Sequence, residues 1–230
     1  MKLEVIATCM DDALTAEANG ADRLELITAI TEGGLTPGIG LVERVVQAVR
    51  IPVFVMVRPH SRSFVFAEHD IDTMASEIKA IVRAGAAGLV LGALTPAGKI
   101  DEQALGRLLP LTGGLQVTFH RAFDELADQH EGLQTLMKYP QITRILTSAG
   151  PRPAMESVKE MAELVAAAKK SHLTILAGSG LTTEGIAAFI ARTGVGEVHF
   201  GSAVRYNKSN LAPIQPSALR RLADDLRQIR

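Results

Sequence analysis

The residues best suited to chemistry in this chain sit in one short run, Val117 to Asp124, which reads V-T-F-H-R-A-F-D. Its apolar first half can form a strand. Its second half places a histidine that can exchange protons beside an arginine's fixed positive charge, with an aspartate three residues on. Side chains alternate along a strand, which predicts Thr118 and His120 on one face and Val117, Phe119 and Arg121 on the other. Polar residues close other apolar runs in the same way: Glu25, Arg58, Thr147, Ser148, His199 and Ser202. Read as chemistry, Arg58 and Arg121 steady negative charge while His120 and Glu25 move protons. Read as structure, Arg23 with Glu25 and Glu197 with His199 share strand faces and could equally form ion pairs that fill an interior.

Two glycine turns add a second kind of site. Gly178-Ser179-Gly180 and Gly201-Ser202 each follow an apolar run, and glycines let backbone N–H groups approach an anion closely. The plainer reading is a pair of tight turns. For a soft metal the chain offers Cys9 with Met10, Met56, and His120 as a nitrogen donor, which is one thiol and so no two-cysteine site. No H-x-H occurs. His60, His120 and His199 stand at separate strand ends without evident supporting carboxylates, which disfavours a metal-assisted hydrolase. No lysine closes a strand, Lys99 being in a loop, and this disfavours Schiff-base chemistry.

The elements that must position these residues repeat one pattern of strand, loop, helix and glycine joint. Strands are expected at Leu3–Ala7, Arg23–Leu26, Pro52–Val57, Gly88–Leu91, Val117 onward, Arg144–Thr147, Thr174–Ala177 and Glu197–Phe200. Helices are expected at Asp11–Asn19, Leu41–Val49, Ile71–Arg83, Asp101–Leu109, Leu133–Lys138, Ala154–Lys170, Thr183–Arg192 and Ser217–Ile229. Eight right-handed parallel crossovers predict a closed (β/α)8 TIM-type barrel forming a single domain over residues 1–230. An open doubly wound sheet is the alternative, but the first strand–helix turn, Ala7 to Asp11, lacks a glycine fingerprint. In such a barrel the chemistry sits at the C-terminal ends of the strands, and the loops after strands seven and eight commonly bind phosphate. Thr28–Gly40, with E-G-G-L-T-P inside it, is long enough to be a functional loop.

Composition narrows the partners. Across 230 residues, 24 basic and 25 acidic side chains leave a formal charge of −1, so no overall field draws nucleic acid or an anionic membrane. The first apolar run is short and interrupted by Glu4, unlike a signal peptide, and no run reaches the roughly 20 apolar residues of a membrane span. The lone Cys9 suits a reducing compartment, making the cytoplasm the expected location. The alanine-rich stretch Ala154–Lys170 is either an oligomer interface or a well-packed outer helix.

Several stretches together carry a resemblance to the CutC family, named for copper homeostasis. They are N-G-A-D-R-L-E-L (19–26), E-G-G-L-T-P (32–37), P-V-F-V-M-V-R-P (52–59), G-A-L-T (92–95), V-T-F-H-R-A-F-D (117–124), R-I-L-T-S (144–148) and E-V-H (197–199). The resemblance implies a TIM-type barrel, a cytoplasmic protein that self-associates as a dimer or larger, and a role in copper binding or trafficking. This chain departs from the family pattern where Cu(I) ligands are proposed. Cysteines of the first strand and just after the second fall on Ile6 and Ile27, and the third-loop R-G-G-D-F becomes His60-Ser61-Arg62-Ser63-Phe64. Two function classes follow: a protein that handles copper ion, and an isomerase- or lyase-type enzyme acting on a small anionic or phosphorylated metabolite.

Overall fold

A computed structural model of the chain describes residues 1–229. Its eight strands are β1 (Lys2–Ala7), β2 (Arg23–Leu26), β3 (Val53–Met56), β4 (Gly88–Leu91), β5 (Gln116–Phe119), β6 (Ile142–Thr147), β7 (Thr174–Ala177) and β8 (Glu197–Phe200). All pair in parallel and in sequence order, and β8 closes the ring on β1. The helices are α1 (Met10–Ala18), α2 (Ile39–Ala48), α3 (Glu68–Arg83), α4 (Glu102–Leu108), α5 (Gln129–Leu136), α6 (Val158–Ala168), α7 (Ile186–Thr193) and α8 (Pro216–Gln228). The expected (β/α)8 TIM-type barrel is the fold that forms. No helix among the described residues is long and apolar enough to cross a membrane.

Strand parity explains the layers. Odd positions of β1, Leu3, Val5 and Ala7, face outward and join one continuous core with Leu24, Leu26, Val55 and the buried faces of the helices. That helix face follows the 3.6-residue period, as in Ile71, Met74, Ile78 and Ile81 of α3. The alternate positions of each strand face the barrel axis, where a barrel ordinarily stacks branched aliphatics. Here the lower layer is largely charged. Arg23 pairs with Glu4 and lies 2.6 Å from Glu197, which is 3.2 Å from Arg144. Arg144 also reaches Gln116, and both guanidinium groups flank the Phe54 ring, at 5.1 and 4.7 Å from its centre. The ion-pair reading of Arg23 and Glu197 therefore describes the lower barrel interior.

Most element bounds shift by one to four residues from the sequence reading, and three of the differences have a clear local reason. Helix α5 begins four residues earlier than expected because Asp128 caps it, accepting from the amides of His130 and Glu131. The stretch from Ala154 is a short 3₁₀ turn, Ala154–Glu156, broken from α6 at Ser157. Strand β5 stops at Phe119, and Arg121–Glu125 winds into a 3₁₀ turn.

The packing around Phe54 gives a test. A Cβ at Gly88 would lie 2.2 Å from that ring, whereas one at Gly106 in α4 meets nothing. Gly88→Ala should therefore lose on the order of 2 kcal/mol by overpacking. Gly106→Ala should gain about 0.5–1 kcal/mol from helix propensity. Urea unfolding of both variants checks the opposite signs.

Candidate active site

A cavity of about 270 Å³ opens at the C-terminal ends of the strands. Glu25, Arg58, His120 and Arg121 all line it, although they come from three different strand ends. From the other side Ser179, Gly180, Gly201 and Ser202 complete the wall. His199, at the end of β8, contributes as well.

Three glycines on inward positions leave this space open. A Cβ at Gly92 would lie 2.7 Å from His120 Nδ1, one at Gly178 would lie 2.6 Å from Leu146 and 3.2 Å from His199, and one at Gly201 would lie 2.9 Å from Ile6. Gly178 thus makes room for the His199 ring. It is not on the cavity wall itself.

Arg58 is buried, yet among the described residues it has no carboxylate partner. Its Nη1 donates to the carbonyls of Glu32 and Gly34 at 3.1 and 3.3 Å, and its Nε donates to nothing. The long E-G-G-L-T-P loop is thus a holder for this side chain. Its carbonyls grip the Arg58 guanidinium, and Thr36 brackets the Arg58 backbone from both directions. Phe64 lies 4.3 Å under the guanidinium carbon and packs on His120, the ring centroids 4.8 Å apart. Burial lowers the Arg58 pKa from its ordinary value.

His120 is fully enclosed. Its Nδ1 accepts from the Ala122 amide at 3.2 Å, which leaves the proton of a neutral ring on Nε2, an atom with no partner. Burial first, and the nearby Arg58 charge second, push its pKa down to about 3, so the ring is a neutral donor at physiological pH.

Strand alternation places Arg121 opposite His120, and the structure corrects this. Alternation ends with β5 at Phe119, and the 3₁₀ turn brings Arg121 round to the same cavity. Asp124 fixes it there, 2.8 Å from Arg121 Nε. The same carboxylate accepts from the Thr147 hydroxyl and from the Ser148 amide and hydroxyl at 3.1 and 2.9 Å. Thr147 and Ser148 are thus wholly buried as Asp124 ligands, and neither is on the cavity wall.

The cavity floor holds a chain of three groups. Glu4 Oε1 is 2.7 Å from His199 Nδ1, and His199 Nε2 is 3.8 Å from Glu25 Oε2, all buried. His199 therefore does have carboxylates beside it, contrary to the sequence expectation. Glu4 is a site residue that sequence reasoning misses, although an acid on the same parity as Ile6 in an apolar strand is an available signal. Burial alone would raise the Glu4 carboxyl, but Arg23 and then His199 outweigh it and hold it at about 2. Glu25 has no such clamp, and burial raises it to about 7 against the pull of His199. Burial would lower His199, yet Glu25 and Glu4 together raise it above its ordinary value. The nitrogen and carboxylate oxygens of Glu4, Glu25 and His199 lie within 4.8 Å of one another, a hard donor set that a divalent cation could use.

A model of the CutC family matches residues 1–204. The chain belongs to the CutC family. It is 35% identical to the human copper homeostasis protein cutC homolog over 216 residues, covering 91% of this chain and 78% of that one. It is 38% identical to a family protein CutC of Xylella fastidiosa over 197 residues, 86% of this chain and 73% of that protein. A crystal structure of CutC from Streptococcus agalactiae superposes with a TM-score of 0.81 at 31% identity, covering 86% of this chain and 97% of that one. Phosphoribosyl anthranilate isomerase from Thermococcus kodakaraensis shares the fold, with a TM-score of 0.64 at 15% identity over 99% of both chains.

Within this CutC chain, Ile6 and Ile27 both line the cavity, so hydrocarbon stands where the family's Cu(I) ligands are proposed. The wall carries one sulfur, that of Met56. Cys9 is exposed at the start of α1, away from the cavity.

The raised Glu25 pKa fixes the sign of a pH effect. Its stabilising contribution is complete below the ordinary value of 4.5 and is lost as pH rises through about 7. Glu25→Gln has no such titration. Its stability relative to the parent should be greater at pH 8 than at pH 5, by on the order of 3 kcal/mol, in urea unfolding at the two pH values.

Proposed function

We propose that this CutC-family protein is an enzyme that moves a proton on a small anionic metabolite, through isomerase- or lyase-type chemistry. The observation that carries the reading is a pair of buried atoms, Glu25 Oε1 and His120 Nε2, that have no hydrogen-bond partner among the described residues, in side chains that line one cavity with the carboxylate-free Arg58. Burying such atoms unpaired costs about 1–3 kcal/mol each, and a bound ligand would remove that cost. Glu25, titrating near neutrality, is the base. His120 donates its Nε2 proton as a hydrogen bond to the oxygen on which negative charge develops, and Arg58 balances that charge. Glu4 holds the His199 ring, and His199 in turn faces Glu25.

Copper handling, named for the human relative, is the second reading. Cu(I) prefers thiolate and thioether ligands, and one methionine on the wall with one remote exposed cysteine makes a poor set.

Thermal-shift screening against sugar phosphates and small keto acids should find stabilising ligands whose effect disappears in Arg58→Ala. A blank screen removes the enzyme reading. Titration of Cu(I) against a competing chelator should show binding of micromolar strength or weaker, unchanged by Cys9→Ser or His120→Ala. Tight binding lost in either variant restores copper.

A further inference from the structure

We infer that the ligand is two-headed, a short phosphorylated carboxylate or related dianion that spans the barrel mouth with one oxyanion at each end. This rests on the proton-transfer reading above and narrows its substrate class. In a closed ring of eight strands in sequence order, β3 faces β7 across the axis, and β4 faces β8. Arg58, just beyond β3, therefore stands opposite the Ser179-Gly180 turn that follows β7.

The two ends offer different donors. At the first, the buried Arg58 guanidinium lacks a carboxylate among the described residues, and the neutral His120 ring, which lines the cavity, carries an Nε2–H with no partner there. Phe64 beneath Arg58 holds the guanidinium plane in place. A planar fork of this kind matches a planar carboxylate or enolate. At the second end, the backbone amides of Ser179, Gly180, Ser202 and Ala203 donate to no protein oxygen among the described residues. The Ser179 and Ser202 hydroxyls form no hydrogen bonds there either. Several neutral donors on two neighbouring turns of one cavity wall suit the tetrahedral oxygens of a phosphoryl group.

Between these ends the cavity wall carries Glu25 and His199 on one side and Arg121 on the other. Glu25 is the one carboxylate on the wall and would repel an oxyanion placed over it. A ligand anchored at both ends instead lays its carbon chain across Glu25, where a C–H proton can be removed and returned. No external co-reactant is needed. The proton leaves a hydroxyl-bearing carbon for the Glu25 carboxylate and the neighbouring carbonyl's electron pair moves onto its oxygen near His120, giving an enediolate; Glu25 then returns the proton to the former carbonyl carbon while the hydroxyl proton passes to the other oxygen, so that carbonyl and hydroxyl exchange places. The volume of about 270 Å³ restricts the chain to a few carbons.

Calorimetric titration of the full chain with inorganic phosphate, glycolate and 2-phosphoglycolate tests this. We expect 2-phosphoglycolate to bind at least about tenfold more tightly than either single-headed probe. Arg58→Gln should bring 2-phosphoglycolate down to the affinity of phosphate and leave phosphate itself unchanged. Ser202→Asp should abolish phosphate binding while leaving glycolate. If the two-headed probe is no tighter than the better single-headed one, or if Arg58→Gln weakens all three alike, the inference is overturned while a one-anion enzyme still stands. If none of the three binds, the inference falls, and the enzyme reading then depends on the separate ligand screen.

Discussion

The interaction on which the rest of the structure depends is the clamp of Glu4 and Glu197 on Arg23 inside the barrel. An isolated charge in that interior would be costly, and partners that satisfy one another make it tolerable. The clamp leaves Glu4 one further oxygen, which takes His199. His199 is thereby set beneath Glu25, so the lower ionic layer determines where the reactive layer above it begins. A barrel filled with aliphatic side chains would have packed as well and would have held no group in a fixed protonation state. Arg23 and Arg144 both lie over the Phe54 ring, whose π face favours their charge, and both reach Glu197.

The upper layer is governed by absence of side chains as much as by their presence. Gly92, Gly178 and Gly201 occupy positions from which any Cβ would strike His120, Leu146 with His199, or Ile6. Bulk is removed at β4, β7 and β8, and functional side chains enter from β2, β3 and β5. The polar groups thus face a shared space. The loops reinforce this division. The loop after β2 commits its carbonyls to Arg58, and Asp124 commits its oxygens to Arg121, Thr147 and Ser148.

Much of this is legible in the sequence because it follows from local rules. The bounds of β2, β4, β7 and β8 are those read from apolar runs and glycine joints, and Glu25, Arg58, His120 and Arg121 do meet at one rim. What local rules cannot supply is which partner each side chain takes. Thr147 and Ser148 resemble ligand donors because they close a strand, yet a carboxylate from the neighbouring strand end consumes them. Arg121 falls on the wrong face by strand parity because the end of β5 is decided by that same tertiary contact, not by strand propensity. Glu4 reads as a break in an apolar run, since its meaning lies in Arg23 and His199, which are 19 and 195 residues away.

Family membership and chemistry separate at this point. A fold with its ring of strand ends can be kept while the donor atoms around the mouth change, and the donor atoms decide what binds. At Ile6 and Ile27 this chain presents hydrocarbon, and apart from the single Met56 sulfur the donors on the wall are oxygen and nitrogen. The lower interior pairs most of its polar atoms. Thr118 Oγ1 and Arg144 Nε lack hydrogen-bond partners there among the described residues, but Arg144 Nε lies 3.2 Å from Glu197 and its other guanidinium nitrogens are bonded. Glu25 Oε1 and His120 Nε2 have no such compensation: each is an unpaired buried atom of a side chain that lines the cavity. An interior that pairs most of its charges elsewhere leaves those atoms free because something other than protein is meant to meet them.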